Sequence, residues 1–238
     1  MASGYSQFCP VAKGAEIIAQ KWTPLILREM MCGARNFNEI HRGVPLMSRA
    51  LLVERLRQLE ADDVVERIPV GGRRQEYRLT DAGEALRPVI DVLGRWGLVY
   101  GRQRIGPDDR DGEILMWALR RRVNRDALPE RRVVIRFELS GVARCRTGRR
   151  LYWLVLAPDG IDVCTKDPGF PVDVTVTGPI ASLISVYLGH TAWRNETARA
   201  LTISGDARIG AKIEAWLQLD QVLGRDRPIV PQTAIASA

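Results

Sequence analysis

At 238 residues, 46% hydrophobic and 26% charged, the chain has a globular composition and is long enough for one large domain or two small ones. Thirty-five Lys and Arg against 28 Asp and Glu give a formal net charge of +7, which favours polyanionic partners such as nucleic acid or anionic membrane surfaces. No apolar run approaches the roughly 18 residues of a membrane span, and the opening MASGYSQFCPVAKG lacks the basic and apolar regions of a signal peptide, so a cytoplasmic protein without membrane insertion is expected.

The charge excess is +2 over residues 1–101, +3 over 102–132 and +2 over 133–238, so it belongs to no single domain and does not by itself locate a binding face. Cys9, Cys32, Cys145 and Cys164 are far apart, and only His41 and His190 could join them. No zinc-ligand spacing results, and four free thiols with no metal and no cofactor are expected.

Apolar spacing predicts helices over 12–19 and 22–31, the second with Trp22, Leu25, Ile26 and Met30 on one side. Cys32, at its end, reads as a core residue. A short helix over 36–41, with Phe37 and Ile40 inward, is followed by the turn Gly43-Val44-Pro45-Leu46-Met47. Ser48 is a favourable N-cap for a helix over 48–61, on which Leu52, Leu56 and Leu59 share one face. At about 100° per residue, Ala50, Val53, Glu54, Arg57 and Ala61 point the other way. That face is free to enter a major groove: Ala50 permits close approach, and Arg57 and Arg49 reach phosphates or guanine edges. Arg55 lies beside the leucines and reads as a structural ion-pair partner.

Strands over 64–68 and 75–80, joined by a turn containing Gly71-Gly72, make a hairpin beside this helix. Arg73 and Arg74 at its tip suit phosphate or minor-groove contact. One helix is expected over 81–99; its Ala85, Leu86, Val89, Ile90, Leu93, Trp96 and Leu98 exceed the needs of a small domain and read as a dimer surface.

Residues 9–97, through CPVAKGAEIIAQKWTPLILREMMCG, FNEIHRGVPLMSRALLVERLRQLEADDVVER and QEYRLTDAGEALRPVIDVLGRWG, resemble the HxlR family of winged-helix regulators. The resemblance implies a bacterial homodimer on double-stranded DNA, nucleoid-associated when bound, with the Ser48 helix in the major groove and the wing on flanking backbone. It also implies a candidate redox-sensing thiol at Cys9. Asp63 departs from the family pattern, standing where a helix-ending Gly is common, and Gly71-Gly72 with Gln75 replace the usual Pro and Val of the wing.

Beyond a hinge and linking helix (102–132, the helix over 111–126), strands are expected over 132–139, 151–156, 161–164, 172–177 and 201–204, with helices over 180–188 and 206–219 and a frayed tail from 228. The fold class is therefore α+β: a winged helix-turn-helix, mostly α with a β-hairpin wing, over 1–101, and an α+β domain with an antiparallel sheet over 133–238. No Gly-rich phosphate loop, nucleophile elbow or catalytic carboxylate or His pair occurs, so no enzyme is expected.

The runs RRLYWLVLAPDGIDV, VDVTVTGPIASLISVYLGHT and ALTISGDARIGAKIEAWLQL resemble the sterol carrier protein type 2 domain over about 111–222. That resemblance implies an apolar tunnel for a lipophilic molecule, with Trp153, Ile184, Tyr187, Trp193 and Trp216 as pocket candidates. The combined expectation is a DNA-binding transcription regulator controlled by a lipophilic effector. The alternative is a lipid or acyl-chain carrier whose winged helix serves dimerisation or protein contact.

Overall fold

The computed structural model describes residues 4–71, 74–101, 104–144 and 149–220, Arg149 by its backbone only. Gly72, Arg73, Cys145 and the tail from 228, all named above, lie outside the described residues. The chain divides into two compact units, Met1–Gly94 and Arg95–Ala238.

The first unit opens with α1 (Pro10–Ile18), α2 (Thr23–Met31), α3 (Phe37–Gly43) and α4 (Arg49–Ala61). Each start has a local cause. Pro10 and Pro24 occupy first-turn positions that need no N–H. Asn36 Oδ1 accepts from the Glu39 amide at 3.0 Å, and Ser48 Oγ accepts from the Leu51 amide at 3.2 Å. Ile26, Leu27, Met30, Ile40, Leu52, Leu56 and Leu59 form the core, each burial contributing roughly 1.5–3 kcal/mol. Gly43 lets α3 settle on α2, because a Cβ there would run into the Glu29 carboxylate. The buried Glu29 takes Arg28 Nη2 at 2.6 Å, and the same guanidinium donates to the Gly43 carbonyl at 3.2 Å.

The hairpin pairs β1 (Val65–Pro69) with β2 (Gln75–Leu79) antiparallel, in the register Val65 to Leu79 and Arg67 to Tyr77. The single helix expected over 81–99 is two, α5 (Asp81–Ala85) and α6 (Arg87–Tyr100). Pro88 cannot donate back along the helix, so the chain breaks at Leu86. Cys32 is also corrected: it is the C-cap of α2 and exposed, because the helix ends before its turn carries the thiol inward.

The second unit contains α7 (Gly112–Arg122), β3 (Val133–Ser140), β4 (Arg149–Ala157), β5 (Gly160–Cys164), β6 (Val174–Pro179), α8 (Ile180–Tyr187), α9 (Trp193–Arg199), β7 (Thr202–Gly205), α10 (Ala207–Gly210) and α11 (Ile213–Trp216). Its five strands run in the order β5-β4-β3-β6-β7. The sheet is mixed instead of antiparallel, since β3 and β6 pair parallel, Ile135 opposite Val174 and Phe137 opposite Val176. The cause is the segment after β5. Its Val172 packs against Val134, Trp153 and Val155 on one sheet face, and Asp173 Oδ2 accepts from the Val134 amide at 2.8 Å, so β6 enters beside the start of β3.

Side chains alternate across the sheet. Ile135, Phe137, Tyr152, Leu154 and Val176 face a core completed by Leu115, Met116 and Leu119 of α7, Leu183 and Val186 of α8, and Trp193, Ile213 and Trp216. The helix expected over 206–219 is the pair α10 and α11, and α9 was not expected at all. No described helix is long and apolar enough to cross a membrane.

Candidate nucleic-acid interface

The helix α4 presents two unlike faces. Leu52, Leu56 and Leu59 are at most 1% exposed, whereas Arg49, Ala50, Val53, Glu54, Arg57 and Ala61 are exposed. The spacing of the leucines causes this, because burying them turns the positions between them to solvent.

Ser48, at the N-cap, and the five candidates on α4 differ in how they are held. Ser48 spends its hydroxyl on the Leu51 amide, which fixes the helix start. Arg49 Nη2 donates to Asn38 Oδ1 at 2.8 Å, and its guanidinium stands 4.8 Å from the Phe37 ring centroid, so α3 orients it. Asn38 and Phe37 are thus supporting residues that sequence reasoning passed over; their signal was the short helix preceding the turn. Glu54 Oε1 accepts from Gln58 Nε2 at 3.4 Å. Ala50 and Val53 lie beside it as small apolar surface. Arg57 is exposed and makes no hydrogen bond or ion pair among the described residues, leaving its five donors for a ligand.

Arg55 is half-buried, as its place beside the leucines required, but its partner is the Gln58 amide oxygen, 2.8 Å from Nη1, and not a carboxylate. The acidic neighbours lie elsewhere: Glu60 is engaged by Arg67 of β1 at 3.2 Å, which ties the hairpin to α4.

At the hairpin tip the Val70 amide donates to the Arg74 carbonyl at 3.1 Å, and the Arg74 amide donates to the Gly71 carbonyl at 3.2 Å. Gly71 has φ of 94°, the left-handed region that glycine enters without strain. The Arg74 side chain is exposed at this tip. Midway along β2 the Tyr77 amide donates to the Arg35 carbonyl at 2.7 Å. Burial, then the Glu60 charge, pushes the Tyr77 phenol up, so it stays neutral against the core.

A solvent-facing helix presented by a helix-turn-helix, with a basic-tipped hairpin beside it, defines a DNA-binding regulator of the winged-helix class. Residues 17–105 match the family model described as HxlR-like helix-turn-helix. The HTH-type transcriptional regulator YvaP of Bacillus subtilis (strain 168) is 38% identical over 94 residues, covering 38% of this chain and 87% of that protein. The regulator YodB of the same strain is 34% identical over 91 residues, covering 37% of this chain and 81% of that one. An HTH-type regulator of Methanothermobacter thermautotrophicus is 34% identical over 109 residues, covering 42% and 83%. The solved structure of the reduced form of YodB from B. subtilis aligns with 31% identity and a TM-score of 0.35, over 40% of this chain and 95% of that one. The chain belongs to the HxlR family, and it is a DNA-binding transcription regulator.

Cys9 stands at the N-cap of α1, half-buried, its carbonyl accepting from the Lys13 amide at 3.1 Å. Of the five pocket candidates in the second unit, Trp193 and Trp216 are core, and Ile184 and Tyr187 pack against that core. Trp153 lies on the opposite sheet face with Val134 and Val155. The five therefore do not line one cavity: adjacent positions on β4 point to opposite faces, and Tyr152 and Leu154 hold the helical side. Two hollows open instead beside α8, of about 350 and 190 Å³, sharing Ser185 and His190. Only Ile184 of the expected five lines either.

Proposed function

We propose that the protein is a homodimeric regulator that reads its operator with Arg49, Ala50, Val53, Glu54 and Arg57 of α4, sets the register through Ser48 at the helix start, and grips flanking backbone with Arg73 and Arg74 of the wing. The carrying observation is the exposed, unengaged Arg57 on the side of α4 opposite three fully buried leucines. A guanidinium so placed suits bidentate contact to guanine.

Homodimerisation is supported by α6. Val89, Val92, Leu93, Trp96, Val99 and Tyr100, spaced along one face, are all 46–56% exposed. A helix this apolar on its outer side calls for a partner, and a second copy places two recognition helices on two half-sites.

The second unit takes the role of effector domain. Its sterol-carrier-like reading is supported by the sequence runs RRLYWLVLAPDGIDV, VDVTVTGPIASLISVYLGHT and ALTISGDARIGAKIEAWLQL and by a sheet that shares one core with its helices. A lipophilic effector controls DNA affinity if it binds one dimer geometry better than the other. Cys9 is the candidate for thiol control, supported by its helix-start position and partial exposure.

The test is duplex binding across a salt series. Arg57→Ala is expected to cost about 1–3 kcal/mol on the operator and to relax discrimination at one base pair, while Arg74→Ala weakens all sequences alike and lowers the salt slope by about 1. Indifference of duplex affinity to salt and to Arg57→Ala would favour the lipid-carrier reading instead.

A further inference from the structure

We infer that the adjoining hollows around α8 and α9 form a binding site for an amphipathic small molecule whose polar head, an ammonium or a hydroxyl, donates a hydrogen bond to Glu196. The inference rests on the effector-domain reading above and adds the chemistry of the head. Glu196, on α9, is 3% exposed. One carboxylate oxygen receives Arg199 Nη2 at 3.1 Å. The other, Oε2, is buried without a hydrogen-bond partner among the described residues. A buried acceptor left in that state costs about 1–3 kcal/mol, more for a charged group, and a donor arriving there recovers it.

The surroundings divide the ligand into head and tail. Around Glu196, the 350 Å³ hollow is lined by Ser185, His190, Thr191, Asn195 and Arg199. The 190 Å³ hollow shares Ser185 and His190 with it and adds Ile105, Ala181, Ile184 and Leu188 together with Arg110. Polar and apolar parts thus meet at two common residues, and one molecule can lie across both. An ionised acid head is disfavoured at the Glu196 end, since it would set a second carboxylate beside the first, and the nearby Arg199 is already paired.

Dodecylamine, dodecanol and dodecanoate, each below its micelle threshold, would be titrated into the full-length protein and followed by calorimetry. Dodecylamine or dodecanol is expected to bind at least tenfold more tightly than dodecanoate. Glu196→Gln should abolish that preference, and Ala181→Phe, which fills the apolar hollow without touching Glu196, should weaken all three. The head-group preference is read on the wild type, so it holds as a test even if Glu196→Gln fails to fold. Equal or tighter binding of dodecanoate, or a preference that persists in folded Glu196→Gln, would overturn the inference while the lipophilic-effector reading stands. Binding of the amine with operator affinity unchanged at saturation would overturn the effector reading and leave the site. Binding of none would overturn both.

Discussion

Asp63 follows α4 with φ of 55°, in the left-handed region, where its amide donates to the Glu60 carbonyl at 3.2 Å and the next amide, of Val64, donates to Leu59 at 2.9 Å. Such a helix end favours glycine, and a residue with a Cβ is strained there. Asp63→Gly is therefore expected to stabilise the first unit by about 0.5 kcal/mol, read as a raised urea midpoint with unchanged slope. The Thr80 hydroxyl bond to the Asp63 carbonyl, at 2.6 Å, uses the backbone and survives the change. The departure was visible in the sequence as an Asp where glycine is common, but its backbone angle was not. The same limit applies to Arg55: periodicity placed it beside the leucines, and only side-chain geometry showed Gln58 as its partner.

Among the elements, β4 and α7 meet where Tyr152, fully buried, lies under Gly112, whose missing Cβ leaves room for the phenol. Burial, partly opposed by Arg150, pushes the Tyr152 phenol up to about 12. The folded value is above the ordinary value of about 10, so the unfolded chain ionises first. The contribution is intact below about pH 10 and is lost as pH rises towards about 12. Wild-type protein should lose stability faster than Tyr152→Phe across that window, measured as urea midpoints at pH 8 and pH 11; parallel curves would exclude the buried phenol as the cause. Elements with strong local signals were legible: α4 with its Ser cap and leucine spacing, and the hairpin with its glycine turn. The helix α9 was not, because its N-cap, Ala192, makes no side-chain capping bond and its seven residues offer too short a period. Pro88 carried the signal for the break at Leu86.

For the whole molecule, the proposed homodimer rests on the exposed apolar side of α6. Leu93 and Trp96 are 50% and 46% exposed, so replacing them leaves the two cores intact. The double change Leu93→Asp, Trp96→Glu is expected to shift sedimentation from dimer to monomer and to reduce affinity for a two-half-site operator far more than for one half-site. A variant that stays dimeric would rule out α6 as the interface. This surface was readable as an excess of apolar residues over the needs of a small domain.

The sequence by itself determined the helix-turn-helix, the hairpin and which face of α4 is exposed, because each depends on residues within a few turns of one another, where periodicity and capping act directly. Tertiary structure alone decided the parallel pairing of β3 with β6, the separation of Trp153 from the other pocket candidates, and the gathering of Ser185, His190 and Glu196 around one hollow. Strand periodicity tells which residues share a face, but not which edge a returning strand joins. That choice was made by Val172 and Asp173, anchored on β3.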